Sequence, residues 1–294
     1  MSSEKNKVNL HSCLEKFMHG VFAVSACCSI LAVALICVFL FVNGVPAMKE
    51  IGFVKFLSGQ MWKPGNGIYG ILPMILGSIY VTAGAIIIGV PIGILTAVFM
   101  ASFCPGKLYR ILKPAIELLA GIPSVVYGLF GIVTIVPMVR NLTWKLGADG
   151  DGLSMLSASI LLGMMILPTI ITVSESSIRA VPVSYYEGSL ALGADSVRSV
   201  FFATLPAAKS GITAGVILGI GRAIGETMAV IMVVGNQPRM PEGLLKGVRT
   251  LTSNIVTEMG YAQGLHREAL IATGVVLFIF ILIINLLFNL IKKK

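Results

Sequence analysis

Residues 71–103 read ILPMILGSIYVTAGAIIIGVPIGILTAVFMASF, and this stretch contains no charged side chain. About 20 consecutive, mainly apolar residues are enough to cross the hydrocarbon core of a membrane as a helix. Five other segments meet the same criterion: Gly20–Val42, Ala115–Val139, Leu153–Val173, Ile212–Val234 and Ala269–Ile291. The sequence therefore predicts an all-α, polytopic membrane protein with about six transmembrane helices.

The composition supports a membrane environment. Of the 294 residues, 56% are hydrophobic and only 12% are charged, and the mean hydropathy is +0.93. A soluble domain usually has about 25% charged residues, so this chain has too few to cover a soluble globule. The net charge is +9, but the basic residues lie mostly between apolar runs, as in membrane proteins. We therefore expect lipid around the chain and no nucleic-acid partner.

The order of polar and apolar segments predicts the domain organisation. Residues 1–18 would form a cytoplasmic N-terminus, residues 19–43 the first transmembrane helix, and residues 44–70 an external loop. Residues 71–291 would form a transmembrane domain of five spans, followed by the basic tail 292–294. The first apolar run is longer than a signal-peptide core and no A-x-A site follows it, so we expect it to be retained.

The distribution of basic residues predicts the orientation. Six spans place both termini on one side, and with the termini inside, twelve Lys and Arg lie inside against nine outside. Three lysines, 292–294, directly follow the last span. By the positive-inside rule we expect both termini in the cytoplasm.

The loop between the fourth and fifth spans has a helical pattern. Residues 184–207 read SYYEGSLALGADSVRSVFFATLPA. Pro182 suits the first turn of a helix, and Gly193 suits its end. We therefore predict a first short helix in this loop that ends at a glycine turn.

A second short helix should follow the glycine. Asp195 or Ser196 can cap its N-terminus, and the Leu205-Pro206 pair is expected to end it before the chain re-enters the membrane. On the residues alone, the loop is interpreted as an amphipathic elbow that lies on the bilayer surface.

The fifth span contains two charged residues. Arg222 and Glu226 are four positions apart and should share one helix face. In a helix, Arg222 would lie about 20 Å further along the axis than Lys209, which places it near the middle of the membrane. A central arginine costs about 2.5–3.5 kcal/mol on insertion scales, so it should face a partner or a wet cavity.

Two interpretations of these charges remain open. They form either a structural ion pair that locks helix packing or a charged part of a translocation path. Gly219, Gly221 and Gly225 would either permit close helix packing or leave room for a solute. The planar guanidinium of arginine suits an oxyanion.

Two prolines lie within apolar runs, Pro91 in GVPIG and Pro123 in IPSVVYG. Proline removes a backbone donor and can kink a helix, so both are candidate hinges of a gate, or else packing kinks.

No residue pattern indicates catalysis. The cysteines and histidines lack metal-ligand spacing, and no disulfide framework is evident. The sequence has no G-x-x-x-x-G-K-[ST] run for ATP and no HExxH motif. We expect neither catalytic residues nor a metal site in this chain.

The loop resembles the EAA loop, E-A-A-x-x-x-G-x(9)-I-x-L-P, of MetI-like ABC importer permeases. The matching positions are Glu187, Gly188, Ser189, Gly193, Leu205 and Pro206. Gly-Ser replaces Ala-Ala, and Ala203 stands where the family has a larger aliphatic residue. The resemblance implies that residues 182–207 form a coupling helix that docks into an ATPase subunit.

Three other stretches resemble one branch of this family, the PstC permeases of bacterial phosphate importers. They are ILGIGRAIGETMAVIMVVGN at 217–236, GIPSVVYGLFG at 121–131 and MILPTIITVSESSIRAVP at 165–182. The similarity extends from about Gly67 onward. It implies that Arg222 and Glu226 belong to a path for inorganic phosphate in the bacterial cytoplasmic membrane.

The resemblance also implies partners. They are a second related permease subunit (PstA-like), two ATPase subunits (PstB-like) that bind ATP and Mg²⁺, and an external phosphate-binding protein (PstS-like). Two alternatives remain: an ABC permease for another small oxyanion, and a secondary anion transporter driven by an ion gradient.

Overall fold

The computed structural model describes the backbone of residues 2–292 and the side chains of residue 15 and residues 17–287. The side chains of Cys13 and of the lysines near both termini, on which the predicted orientation partly depends, lie outside this range.

Within the described part of the chain, six helices are long and apolar enough to cross a membrane, which confirms the prediction of an all-α membrane protein. They are Phe17–Ile51, Leu72–Phe103, Ser124–Lys145, Met155–Arg179, Ser196–Gly225 and Leu265–Leu287.

The helices, in chain order, are α1 Ser2–Ile51, α2 Phe53–Ser58, α3 Leu72–Val98, α4 Gly106–Gly121, α5 Ser124–Phe130, α6 Val136–Lys145, α7 Met155–Arg179, α8 Val183–Ala191, α9 Ser196–Ser199, α10 Leu205–Gly225, α11 Met228–Val233, α12 Leu251–Glu258 and α13 Leu265–Lys292. A small antiparallel hairpin pairs β1, Trp62–Lys63, with β2, Ile68–Tyr69.

Three wide π turns of five residues continue the helices. They are Phe99–Phe103 after α3, Gly131–Ile135 between α5 and α6, and Val200–Thr204 between α9 and α10. A π turn accommodates one more residue than an α turn and displaces the helix face that follows.

The third span differs from the prediction. The predicted segment Ala115–Val139 is interrupted at Pro123, as expected, but its first part belongs to a separate helix: α4 ends at Gly121, Pro123 is the extended N-cap of α5, and the span begins at Ser124. The hydroxyl of Tyr127 donates to the Leu119 carbonyl at 2.8 Å and ties the two helices together across the break.

Other helix boundaries also differ from the prediction. Helix α1 continues to Ile51, so residues 44–51 are helical rather than part of a loop. Helix α7 continues past Val173 to Arg179, and the region 235–268 contains α12. Hydrophobicity marks the apolar part of a helix, whereas its polar ends extend into the headgroup region.

Helix α7 occupies the centre of the bundle between α3 and α10. On the α3 side, a Cβ added at Gly89 would lie 2.7 Å from the Gly163 carbonyl oxygen and 2.8 Å from Ile166. On the α10 side, a Cβ at Gly219 would lie 2.9 Å from Ile170. Small residues therefore allow both neighbours to approach α7 closely, as is typical of membrane helices.

Among the side chains that the structure describes in helix α1, those of its C-terminal part pack against the bundle. A Cβ added at Gly44 would lie 2.7 Å from Val275 of α13, and the Phe41 and Phe278 rings meet edge to face at 6.1 Å. The described side chains before residue 37 are exposed. This part of the helix presents an apolar surface to lipid or to another chain.

The close contact between α3 and α7 predicts a selective effect of Gly89→Val. The added methyl groups would overlap α7, and overpacking costs about 1–3 kcal/mol. We expect a lower melting temperature in detergent, measured by size-exclusion chromatography after heating. The control is Gly106→Ala, where no atom lies within 4 Å of an added Cβ. Equal melting temperatures for both variants would contradict the packing described for α3 and α7.

Candidate functional site

The loop 182–207 begins with helix α8, which has no buried residue. Pro182 is its N-cap, and Glu187 and Gly188 are exposed while Ser189 is half-buried. The Leu192 side chain, just after the helix, is 92% exposed. The residues that match the EAA triplet thus lie on an accessible helix.

The predicted glycine turn is confirmed. Gly193 has φ +86°, a left-handed conformation that side chains other than glycine rarely adopt. Its N–H donates to the Leu190 carbonyl at 2.9 Å, and the Ala194 N–H donates to the Ser189 carbonyl at 3.2 Å. These two bonds satisfy the last carbonyls of α8 in the manner of a Schellman motif.

The second half of the loop agrees with the prediction at its start but not at its end. The Asp195 carboxylate accepts from the Arg198 N–H at 2.7 Å and caps α9. Leu205 and Pro206 do not end this element, because they form the first turn of α10, which follows α9 through the π turn. Pro206 therefore lies inside a continuous helical segment, directly after the π turn, where its missing N–H removes one helical hydrogen bond.

The fifth span ends between its two charges. Helix α10 stops at Gly225, and Glu226 is extended at φ −72° and ψ 127° before α11 begins. The prediction that Arg222 and Glu226 share one helix face is therefore wrong. A continuous span over Ile212–Val234 is also wrong.

The two charges have different surroundings. Arg222 is exposed, and no ion pair of the side chains described between residues 17 and 287 includes it. Glu226 is half-buried, and its carboxylate accepts from the Ala229 N–H at 3.2 Å. The Glu226 carbonyl accepts from the Thr252 hydroxyl at 3.4 Å. The structural-pair interpretation therefore has no support in the isolated chain, and a role in translocation stays a prediction.

Of the two roles considered for the glycines of α10, close helix packing and open space, each is found for some of them. Gly219 packs against α7, whereas an added Cβ at Gly221 or Gly225 would meet no atom within 4 Å. Open space thus lies beside Arg222 on the part of α10 that leads to the break. The Leu218 side chain, one turn before Arg222, is 55% exposed.

The candidate hinges lie in different settings. Helix α3 continues through Pro91, whose ring is exposed, while Pro123 lies between two helices. Neither observation tests whether these positions move.

Sequence reasoning missed a charged cluster at the end of α7, next to the loop. Glu175 is 1% exposed and accepts from Tyr109 at 3.0 Å, from Lys113 at 2.8 Å and from the Arg179 guanidinium. Burial alone would lower the pKa of Lys113, but its hydrogen bond with Glu175 and the charge of that carboxylate raise it. The predicted fourth span, Leu153–Val173, ended two residues before Glu175, which α7 includes.

A second missed cluster lies at the opposite end of the bundle. The Glu258 carboxylate accepts from Trp62 Nε1 at 2.8 Å, from His266 Nε2 at 2.8 Å and from Arg249 Nη1 at 2.5 Å. Burial would raise the pKa of the Glu258 carboxyl, yet these hydrogen bonds and the charge of Arg249 hold it below its usual range. The cluster ties the hairpin to α12 and α13, and no sequence spacing links residues 62 and 258.

Comparison with known proteins places these features in a family. Residues 89–294 match the model of the binding-protein-dependent transport system inner membrane component. The chain is 38% identical over 282 residues to the probable ABC transporter permease YqgH of Bacillus subtilis, covering 92% of this chain and 90% of YqgH. It is 31% identical to the phosphate transport system permease PstC of Mesorhizobium japonicum, covering 95% of this chain and 90% of that protein.

Solved structures share the fold. The inward-facing MetNI methionine ABC transporter superposes with a TM-score of 0.60 at 20% identity, covering 79% of this chain and 98% of the other. A bacterial ABC transporter that imports alginate gives 0.59 at 15% identity, covering 90% and 94%.

The Glu258 cluster predicts that Glu258→Gln lowers the stability of the chain. Removing one partner of a buried ion pair costs about 3–5 kcal/mol. Because the folded-state pKa is lowered, the stabilisation is present above the ordinary carboxyl pKa and is lost as pH falls through the lowered value. Thermal unfolding from neutral to acidic pH should show a lower melting temperature for this variant and a weaker pH dependence. An unchanged profile, like that expected for exposed Glu242→Gln, would contradict this account.

Proposed function

Since the chain belongs to the family of binding-protein-dependent transport system inner membrane components, we propose that it forms a translocation path for inorganic phosphate in an ATP-driven importer. Phosphate is proposed as the substrate because the chain is similar along nearly its whole length to PstC permeases, with 30–31% identity over 95–99% of this chain. The multi-pass helical structure fits a membrane-embedded permease subunit.

Arg222 is the residue that we propose attracts the anion. Its guanidinium is exposed beside Gly221 and Gly225, so a phosphate could approach without displacing a side chain. A planar guanidinium can bind two phosphate oxygens at once. Glu226, on the extended segment that follows, would partly neutralise this charge so that the anion leaves again. Its carboxylate could also accept a hydrogen bond from hydrogen phosphate, which sulfate cannot donate.

The loop 182–207 is the proposed docking element for the ATPase. Exposed apolar side chains in a water-facing loop are typical of a protein interface. The loop carries several of them, Val183, Tyr185, Leu192 and Val197. ATP and Mg²⁺ would bind to the ATPase chains, and this chain would carry out no hydrolysis.

The remaining partners follow from the same proposal. A second, related permease subunit would complete the path, two ATPase subunits would bind on the cytoplasmic side, and an external binding protein would deliver phosphate. Both termini would then lie in the cytoplasm of a bacterium. The exposed docking loop favours this function over a secondary transporter, which has no use for an ATPase contact.

The test of the function is uptake of labelled phosphate into vesicles that contain this chain with its partner subunits. We expect uptake that requires ATP and the external binding protein and that excess sulfate does not reduce. ATP-dependent uptake of sulfate instead would support another oxyanion, and uptake driven by an ion gradient without ATP would support a secondary transporter.

Arg222→Gln should reduce phosphate uptake by about tenfold or more, corresponding to at least about 1.4 kcal/mol. The reason is the loss of the charge that draws the anion into the path. The matched control is Arg140→Gln, which removes an exposed arginine that lies over Trp144 at the far end of the third span. Uptake that is equal in both variants, with complex assembly intact, would refute the role of Arg222.

Glu187→Lys and Gly193→Trp should abolish ATP-coupled uptake while the chain still reaches the membrane. The first reverses a charge on the exposed face of α8, and the second places a bulky side chain at a φ of +86°. Membrane content is measured by immunoblot and docking by co-purification of the ATPase. Normal uptake in both variants would exclude the loop as the docking element.

A further inference from the structure

The function proposed above assigns no task to the buried carboxylate of Glu175, which is among the most enclosed charged groups of the described residues. It is 1% exposed and has three donors, Tyr109, Lys113 and Arg179. Two of these donors are cations, and charge-assisted hydrogen bonds are stronger and better directed than neutral ones. Such a set holds the carboxylate in one geometry.

This cluster joins three elements at the loop end of the bundle. Tyr109 and Lys113 belong to α4, whereas Glu175 and Arg179 belong to the last turn of α7. Arg179 also donates through Nη2 to the Met100 carbonyl, at 2.9 Å, in the π turn that ends α3. Its guanidinium lies 4.3 Å from the centre of the Tyr109 ring, a cation–π contact.

The position of the cluster connects it to the docking helix. Arg179 is the last residue of α7, and α8 begins at Val183. Helix α8 has no buried residue of its own, and Tyr186 packs only partly against the core beneath it. Besides this contact of Tyr186, the short connection from Arg179 to Val183 joins α8 to the Arg179–Glu175 turn and, through it, to α3 and α4.

Lys113 has a second carboxylate within reach. Its ammonium lies 2.8 Å from Glu175 on α7 and 4.0 Å from Glu117 on its own helix. The Glu117 side chain is 57% exposed and that of Glu175 is 2% exposed. Lys113 thus links α4 to α7 through the nearer carboxylate, while the exposed Glu117 offers an alternative partner on its own helix.

We propose that Glu175 is a positioning residue that transmits movement of the loop 182–207 to α3 and α4, so that the nucleotide state of the ATPase changes access to the path. This role rests on the proposed function. When Lys113 and Arg179 both contact Glu175, the ends of α3, α4 and α7 move as one body with the loop. When this link is lost, the loop can move without them.

The test uses the complete transporter with its ATPase subunits in lipid vesicles. A single cysteine replaces Leu218, the exposed residue one turn before Arg222, in a chain whose five native cysteines are replaced by serine. Maleimide labelling of this cysteine is compared between the nucleotide-free and the vanadate-trapped complex. This readout reports access to the path and requires no transported substrate.

The variant is Glu175→Gln and its matched control is Glu117→Gln, which removes the other carboxylate near Lys113. In the parent chain and the control, we expect the labelling rate to change by at least about fivefold on trapping, within the usual range of coupling between sites. In Glu175→Gln we expect little change on trapping, while ATP hydrolysis continues. Lys113→Met removes the same link from the side of α4, and its labelling rate should likewise change little on trapping.

Two results would overturn the proposal. One is a labelling response like that of the parent chain in either Glu175→Gln or Lys113→Met. The other is a loss of ATP hydrolysis and ATPase binding in parallel with the labelling response, since that pattern indicates a purely structural role. Failure of the parent transporter to take up phosphate would refute the proposed substrate and leave the labelling result unaffected.

Discussion

An ionised side chain costs far more free energy among apolar groups than in water, and this cost governs where charges lie in the bundle. Glu175 and Glu258 are almost inaccessible, and each is surrounded by three hydrogen-bond donors that include at least one cation. Arg222 avoids the same cost differently, because it is not buried and lies on an exposed face beside glycines. The two clusters thus connect helices at opposite ends of the bundle, and Arg222 stays accessible on the surface of the isolated chain.

The central helix α7 relates these features to one another. Its two sides contact α3 and α10 through glycines that permit close approach, so the three helices form one packed unit. The last turn of α7 carries Glu175 and leads into the loop 182–207, and the loop continues into α10, which carries Arg222. The loop 182–207 and the exposed face of Arg222 are therefore attached to the two ends of one helix pair.

Local properties of the sequence were enough to predict the spans and the glycine turn of the loop, but they could not predict contacts between residues that are distant in the chain. Apolar length identified all six helices, and Gly193 marked its turn because a left-handed residue favours glycine. The shared face of Arg222 and Glu226 was wrong because a spacing of four has meaning only in an unbroken helix. The break at Glu226 involves Thr252, 26 positions away, and the donors to Glu175 on α4 lie more than 60 positions before it. A pattern of neighbouring residues does not predict such contacts.

The π turn Val200–Thr204 has a geometric consequence for the whole fifth span. Each residue of an α-helix advances the azimuth by about 100°, so one residue accommodated in a wide turn rotates everything beyond it by about that angle. The turn lies between α9 and α10, 18 positions before Arg222. A regular helix over the same residues would point the guanidinium about a quarter-turn away, toward a different neighbour. The direction of the Arg222 side chain is thus set at the start of α10, in the part of the chain that belongs to the loop 182–207.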